Sequence, residues 1–167
     1  MTLQLKTSAF EPGGDISAKF TCDGSDTSPA LGWNTPPEGT QSFALVVEDP
    51  DAPGRTWVHW VLYDLPATER HLPEGVAPEG KLPSGARQGR NDFGRIGYGG
   101  PCPPPGPAHR YYFKLYALDT RPELKPGTTR AQLDRSMRGH ILAQANLMGR
   151  YRRREAGGRD GADSHRQ

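Results

Sequence analysis

The sequence predicts a mainly β protein of one domain, and its composition and length support that prediction. It contains 21 glycines and 17 prolines among 167 residues, and long runs rich in Leu, Ala, Glu and Lys are missing. This composition favours short strands joined by turns. The length suits one domain with a single core. We expect that domain to cover residues 1–154 and a disordered tail to follow over 155–167.

The strands are expected in the following order. A short first strand lies around residues 2–8, and a loop-rich segment with turn signals follows over 21–33. The apolar run at 43–48 is typical of a strand buried on both faces. Residues 57–65 and 109–119 alternate with a period of two, which predicts two further strands.

Alternation also predicts which side chains share a face. In the strand over 57–65, Trp57 and His59 fall on one face together with residues 61, 63 and 65. In the strand over 109–119, His109 and Tyr111 fall on one face near the start of the strand. Each strand therefore presents a histidine beside an aromatic ring at one end.

The remaining elements are a long irregular segment and one helix. Residues 66–108 are dominated by Pro, Gly and Arg, which allows at most short strands there. Thr129–Gln132 matches a capping box, and Leu133, Met137 and Ile141 follow at helical spacing. We expect a helix through about residue 146 with a kink or break at Gly139, and then a possible return to strand over 147–153.

Charge and hydropathy exclude two classes of partner. Residues 150–167 hold six Arg against three acidic residues, so the rest of the chain is nearly neutral. A nucleic-acid-binding domain normally carries its basic face within the folded part, so no nucleic-acid partner is expected. No apolar run approaches the roughly 20 residues of a membrane span, and the first residues lack the pattern of a signal peptide. We expect a cytoplasmic protein.

The two cysteines are predicted to be free thiols. Cys22 and Cys102 lack the close paired spacing of a zinc site. In a reducing compartment, two distant cysteines are more often free than bridged.

The rare polar groups are concentrated in two loop-and-strand segments. Asp49–Pro53 precedes Trp57 and His59, and a loop rich in Gly and Pro precedes His109 and Tyr111. Glycine lets backbone N–H groups approach a ligand, proline fixes the shape of a loop, and imidazoles supply hydrogen-bond donors. The two segments are interpreted as two walls of one pocket for a small anion.

Two other interpretations of these residues stay open. Asp49, Asp51, His59 and His109 suit a zinc or iron site by residue type, although the surrounding aromatics and prolines favour an apolar-walled pocket. A purely structural role is also open, with His59 a core histidine bonded to Asp49. If the pocket binds an anion, Asp49 is expected to accept a hydrogen bond from His59 or from His109.

Short motifs elsewhere predict little. Asp92-Phe93-Gly94 matches the magnesium-binding tripeptide of protein kinases, but the other kinase motifs are missing, so chance explains it better. Glycines 94, 97, 99 and 100 do not complete a dinucleotide fingerprint, because no helix follows.

Several segments form a combined pattern. They are Asp49–Pro53, Trp57–Trp60 and His109–Tyr111, with the runs 21–24, 91–94, 97–106 and 139–142. Together they resemble the phosphatidylethanolamine-binding protein family, and its short bacterial, Raf-kinase-inhibitor-like members most of all. The resemblance spans roughly residues 1–154. It implies a β-sandwich of antiparallel sheets with a few short peripheral helices, and an anion pocket at the strand ends. Carried over by matching positions, the ligand-binding residues are Asp49, Pro53, Trp57, His59, Gly100, Pro101, His109 and Tyr111.

The function expected from the sequence is therefore non-catalytic binding. The ligand is a small phosphate-like anion or a phospholipid head group, with His59 and His109 as donors and Gly100 supplying a backbone N–H. No cofactor and no metal are expected. A kinase or protease bound through the protein surface is the alternative that relatives imply, as is a homodimer. Hydrolysis of a phosphoester is the third hypothesis, but no nucleophile is evident.

Overall fold

The computed structural model describes residues 2–153, which form two antiparallel sheets. Strands β1, β2 and β5 form a small sheet, and the order β6-β4-β3-β7-β8 forms a larger one. The mainly β prediction is thereby confirmed, and the predicted tail lies outside the described residues. The elements are β1 (Leu5–Lys6), β2 (Leu31–Trp33), β3 (Ser42–Asp49), β4 (Trp57–Pro66), β5 (His71–Leu72), β6 (Arg87–Gln88), β7 (His109–Leu118), helix α1 (Arg130–Met137) and β8 (Ile141–Tyr151), with a 3-10 turn at Ala18–Phe20.

The main core lies between the two sheets, as in a β-sandwich. Leu5, Leu31 and Trp33 of the small sheet share one buried apolar cluster with residues of β3, β4, β7 and β8. The ring of Trp33 meets that of Phe43 edge to face, with centroids 5.4 Å apart. Burial of these side chains is the main stabilising term of the fold.

A second apolar cluster covers the opposite face of the large sheet. Leu133 and Met137 of α1 pack there against residues such as Val46, Val61 and Tyr63. Both faces of the central strands are therefore covered, which explains why every residue of β3 is buried. The apolar run at 43–48 correctly predicts this central strand.

Strand β4 contains a β-bulge at His59, where its register against β3 shifts. Beyond the bulge, Trp60 lies in the core between the sheets and Val61 lies on the side of α1. The prediction that His59 and Val61 share a face is therefore wrong, because one extra residue in a strand inverts the alternation that follows. Trp57 and His59 do share their surroundings, since both rings contact Phe93.

The helix is shorter than the sequence predicts. Its capping box is present at Thr129, but α1 ends at Met137, and Gly139 follows with a φ of 83°. The expected break at Gly139 is confirmed, whereas the expected helix beyond it is wrong. Strand β8 begins at Ile141 and pairs with nearly the whole of β7. The interstrand ladder supplies the backbone hydrogen bonds that a longer helix would have supplied.

The two cysteines form a disulfide, which corrects the prediction of free thiols. Cys22 and Cys102 are 80 residues apart in the sequence, yet their Cα atoms lie 5.4 Å apart. The backbone N–H of Cys22 also donates to the carbonyl of Pro101 at 3.1 Å. Tertiary contact between two loops, rather than a spacing motif, brings these thiols together.

Within residues 2–153, none of the helices has the length and apolar character needed to cross a membrane.

Candidate functional site

The candidate site lies where three antiparallel strands of the large sheet end together. Asp49 ends β3 opposite Trp57, the first residue of β4, and β7 begins at His109 on the other side of β3. Tyr111 adds a second ring from β7. With Phe93 from the loop that follows β6, these residues form what we call the strand-end cluster: Asp49, Trp57, His59, Phe93, His109 and Tyr111.

Asp49 is the buried anchor of the cluster. Its Oδ2 accepts a hydrogen bond of 2.6 Å from Nδ1 of His109, and its Oδ1 accepts one of 2.7 Å from the backbone N–H of Asp51. The hydroxyl of Tyr111 also bonds to this carboxylate. The partner of Asp49 is thus His109 and not His59, which decides between the two alternatives. The carboxylate fixes the orientation of the His109 ring rather than facing a ligand.

The ring of Tyr111 joins the two histidines. It stacks on His109 with centroids 6.4 Å apart and meets His59 edge to face at 5.2 Å. Burial, followed by the charge of Asp49, holds the pKa of Tyr111 well above its ordinary value, so its hydroxyl stays protonated. The phenol is therefore a fixed hydrogen-bond donor between the walls.

His59 is fully buried, and its environment differs from that of His109. Its Nδ1 lies 2.7 Å from the carbonyl oxygen of Gly99. A carbonyl only accepts, so Nδ1 carries the hydrogen. Burial lowers the pKa of His59 to about 4, although the carbonyl of Gly99 and the charge of Asp49 act in the opposite direction. The ring is therefore neutral at pH 7.

Two polar atoms beside Phe93 have no hydrogen-bond partner among the described residues. They are Nε2 of His59 and Nε1 of Trp57, and both are buried. The Phe93 ring meets the Trp57 ring at 5.5 Å and the His59 ring at 5.4 Å, in each case edge to face. Since buried polar atoms are normally paired, this side of the cluster is a place where a ligand group has something to bind.

The loop that carries Gly99 is held by a second loop. The backbone N–H of Gly100 donates to Oδ1 of Asp26 at 2.8 Å, and the Cys22–Cys102 disulfide lies beside it. The prediction that the Gly100 N–H faces a ligand is therefore wrong. A side chain at Gly100 would come within 2.2 Å of the Phe20 carbonyl oxygen, so glycine is needed here for close approach of the two loops.

An open cleft of about 430 Å³ reaches the cluster at His109. Arg110 of this cleft holds Asp51 through two side-chain hydrogen bonds, from Nε to Oδ2 at 2.9 Å and from Nη2 to Oδ1 at 2.8 Å. These bonds lower the pKa of Asp51 to about 2. Two arginines, Arg110 and Arg150, line the cleft together with one carboxylate, that of Asp51. This excess of basic side chains suits an anion. The lining residues are Asp51, Pro107, Ala108, His109, Arg110 and Arg150.

The other expected site residues lie apart from the cluster centre. Pro53 is exposed in the turn between β3 and β4, and Pro101 is buried in the loop next to the disulfide. The alternative metal site does not assemble: within residues 2–153, no group of three His, Cys, Asp or Glu side chains is arranged to hold a metal ion. Asp51 binds Arg110, and Nδ1 of His59 binds the carbonyl of Gly99 instead.

Sequence reasoning missed the role of the run around Phe93. Oδ2 of Asp92 accepts a hydrogen bond of 2.7 Å from the backbone N–H of Val58 and pairs with Arg55 at 3.0 Å. Phe93 packs so closely on Gly99 that a methyl group there would lie 2.6 Å from its ring. The only available signal was the position of this run within the family pattern, since its likeness to a kinase motif is coincidental.

Comparisons with known proteins agree with this architecture. The sequence model of the phosphatidylethanolamine-binding protein family matches residues 6–152. A UPF0098 protein of the archaeon Methanothermobacter thermautotrophicus is 48% identical over 151 residues, which cover 90% of this chain and 99% of that protein.

Two solved bacterial structures are similar in fold. YbcL of Escherichia coli, described as a member of the mammalian PEBP family, has a TM-score of 0.86 and 37% identity over 92% of this chain and all of that one. The homologue CT736 of Chlamydia trachomatis has a TM-score of 0.83 and 40% identity, covering 92% of this chain and 99% of that one. The chain therefore belongs to the phosphatidylethanolamine-binding protein family.

Proposed function

We propose that this protein is a non-catalytic binding protein whose strand-end cluster takes a small phosphate-like anion or the phosphate of a lipid head group. The observation that carries the proposal is the orientation of His109. Asp49 binds its Nδ1, which leaves Nε2 as the remaining polar atom of a ring that borders the basic cleft. The ring lines this cleft together with Arg110 and Arg150, so an anion attracted there by the arginines can hydrogen-bond to the imidazole.

The binding experiment compares two histidines that each pair with an aspartate. Calorimetric titration with phosphate and phosphoethanolamine is expected to show binding to the native protein and a loss of about 10- to 100-fold in His109→Gln, the range for a charge-assisted hydrogen bond. His140→Gln is the matched control, because His140 pairs with Asp119 at 2.8 Å on the surface. Equal affinity of the native protein and His109→Gln for every anion would contradict the proposal.

A second candidate function is contact with a protein partner, either a kinase or protease or a second copy of the chain. Ile141 and Leu142, at the start of the edge strand β8, are 44% and 41% exposed. Exposed apolar residues on a sheet edge favour association. Sedimentation of the native protein and of Ile141→Lys tests the homodimer. Dissociation of a native dimer by the lysine supports it, and a native monomer at all concentrations contradicts it.

The cytoplasmic location inferred from the sequence is a separate proposal, and the disulfide makes it testable. Disulfides persist mainly in oxidising compartments. Alkylation of the protein in freshly lysed source cells is expected to label both Cys22 and Cys102 if the protein is cytoplasmic. Absence of labelling before reduction would place the protein in an oxidising compartment instead.

A further inference from the structure

We propose that the strand-end cluster selects an oxyanion that still carries a hydrogen on one of its oxygens, and that Nε2 of His59 accepts this hydrogen. Monohydrogen phosphate, dihydrogen phosphate and the monoanion of a phosphomonoester belong to this class. Sulfate and phosphodiesters do not, so of the two sources in the proposed function this inference favours a free phosphate or a monoester over the diester phosphate of a lipid head group. This inference rests on the proposed function, because it concerns the chemistry of the same anion.

The first step of the argument is the tautomer of His59. Nδ1 donates its hydrogen to the carbonyl of Gly99 at 2.7 Å. In a neutral imidazole the other nitrogen then has a lone pair and no hydrogen. The sequence alone suggests that His59 donates to an anion, but the hydrogen bond to Gly99 makes Nε2 an acceptor.

The second step is that this acceptor stays neutral when surrounded by charge. The titratable groups around the ring are Asp49 at the end of β3, Asp92 in the loop of Phe93, and His109 and Tyr111 on β7. The two carboxylates favour protonation, but complete burial outweighs them and lowers the pKa of His59 to about 4. The ring therefore stays neutral at pH 7, and its Nε2 has no hydrogen to donate to an anion that lacks one.

The third step is the pair of unpartnered atoms under Phe93. Nε2 of His59 needs a hydrogen, and Nε1 of Trp57 has one to give. A protonated oxyanion offers both a hydrogen and accepting oxygens, so it is complementary to the pair. An oxyanion without a hydrogen would place a lone pair against the lone pair of Nε2. Phe93 contacts both rings on this side of the cluster.

The two histidines of the cluster therefore have different tasks. His109 borders the cleft with its Nδ1 bound to the carboxylate of Asp49, and together with Arg110 and Arg150 it binds the negatively charged side of the ligand. His59 is the acceptor, because its Nδ1 is bound to a neutral carbonyl in a dry environment. Together they recognise both the negative charge and the remaining hydrogen of the ligand.

Phosphate and sulfate provide the direct test, since they have nearly the same size and differ in this hydrogen at pH 7. Calorimetric titration of the native protein at constant ionic strength is expected to show phosphate binding about 10- to 100-fold more tightly than sulfate, as for leaving a buried polar atom unpaired. Equal affinity for the two anions would overturn this inference and leave the proposed function standing. Failure of both anions to bind would overturn the proposed function and this inference with it.

Two esters separate the possible sources of the phosphate group. Methyl phosphate represents a phosphomonoester and is expected to bind, more weakly as the pH rises through its second pKa of roughly 6, where its last hydrogen is lost. Inorganic phosphate keeps a hydrogen over this range and serves as the control. Dimethyl phosphate represents a phosphodiester head group and is expected not to bind. Binding of dimethyl phosphate as tightly as methyl phosphate would contradict the proposal.

A variant and a spectroscopic measurement complete the test. In His59→Gln the amide can donate as well as accept, so the preference for phosphate over sulfate is expected to fall towards one. His71→Gln, a change at an exposed histidine, is expected to keep the preference. If His59→Gln does not fold, 15N chemical shifts of the native protein decide: a neutral ring at pH 7 with hydrogen on Nδ1 is expected, and an imidazolium or hydrogen on Nε2 would overturn the proposal.

Discussion

The strand-end cluster has two walls, a β7 wall with His109 and Tyr111 and a β4 wall with Trp57 and His59, and they place the same residue types in different surroundings. On β7, His109 lies at the border of an open cleft and bonds to the carboxylate of Asp49 at 2.6 Å. On β4, His59 is completely buried and bonds to the carbonyl of Gly99 at 2.7 Å. In the sequence, each is a histidine two residues from an aromatic ring at a strand end. Burial and the partner of Nδ1, which only the fold supplies, decide what each ring offers to a ligand.

Removing the anchor of the β7 wall is expected to have the largest effect. Asp49→Ala takes away a buried carboxylate that satisfies His109, Tyr111 and the Asp51 backbone. Breaking a buried pair in this way destabilises the fold by about 3–5 kcal/mol. The matched control is Asp119→Ala, which breaks the exposed pair with His140 and should change stability by less than about 1 kcal/mol. Urea unfolding measures both, and similar losses would contradict the anchoring role of Asp49.

The second prediction concerns the Cys22–Cys102 disulfide, which holds the loop whose Gly99 carbonyl binds His59 in the β4 wall. The double change Cys22→Ser and Cys102→Ser is expected to lower the free energy of unfolding by about 2–4 kcal/mol, since the bond closes a long loop. The loop that carries Gly99 loosens, so the NMR signals of His59 should shift more than those of His109. A reductant should destabilise the native protein and leave the variant unchanged. Equal shifts at both histidines would show that the bond does not act on the β4 wall in particular.

The buried neutral state of His59 predicts a dependence of stability on pH. Its pKa is about 4 in the folded protein and about 6.5 in the unfolded chain, so the unfolded chain binds more protons between these values. Stability from this residue is complete above pH 6.5, declines as the pH falls through the window, and is lower by about 3 kcal/mol near pH 4. Unfolding measured from pH 7.5 to 4.5 checks this.

A variant isolates the contribution of His59 to that slope. His59→Gln removes the titrating group and should flatten the dependence, whereas the exposed His71→Gln should leave it unchanged. The same slope in the native protein and in His59→Gln would show that other groups cause the acid sensitivity.

The smallest expected effect concerns the cover of the β4 wall. Phe93→Ala admits water to the His59 ring, so its pKa should rise from about 4 by roughly one pH unit towards its ordinary value. Tyr112→Ala is the control, because Tyr112 contacts Arg110 away from this wall. An NMR titration of His59 measures both variants. An unchanged pKa in Phe93→Ala would indicate that other residues keep the ring dry.

The sequence predicted correctly those strands whose apolar pattern is local, and it failed where the structure depends on pairing with a distant strand. The apolar run of β3 and the alternation of β7 gave correct strands, because burial on two faces or one leaves a direct pattern in a strand. The helix was extended too far, because Ile141 fits a helical period and only pairing with β7 makes it part of β8. The bulge at His59 was invisible for a related reason, since it exists only relative to β3.

The candidate site followed the same division. Residue types and order predicted that Trp57 and His59 would lie with His109 and Tyr111 at neighbouring strand ends. They did not indicate that Phe93 covers the β4 wall or that the Gly100 N–H bonds to Asp26. Each of those contacts joins loops far apart in the chain, and no periodicity connects such loops.

By itself the sequence determined the fold class, the central strands, the family and the set of aromatic and imidazole groups at the strand ends. Those properties follow from local patterns of apolar, Gly and Pro residues and from short motifs. The tertiary structure alone decided that Cys22 and Cys102 are bonded and that Asp49 serves His109 and not His59. The physical reason is that the charge of a histidine and the pairing of a thiol depend on which groups the folded chain places beside them.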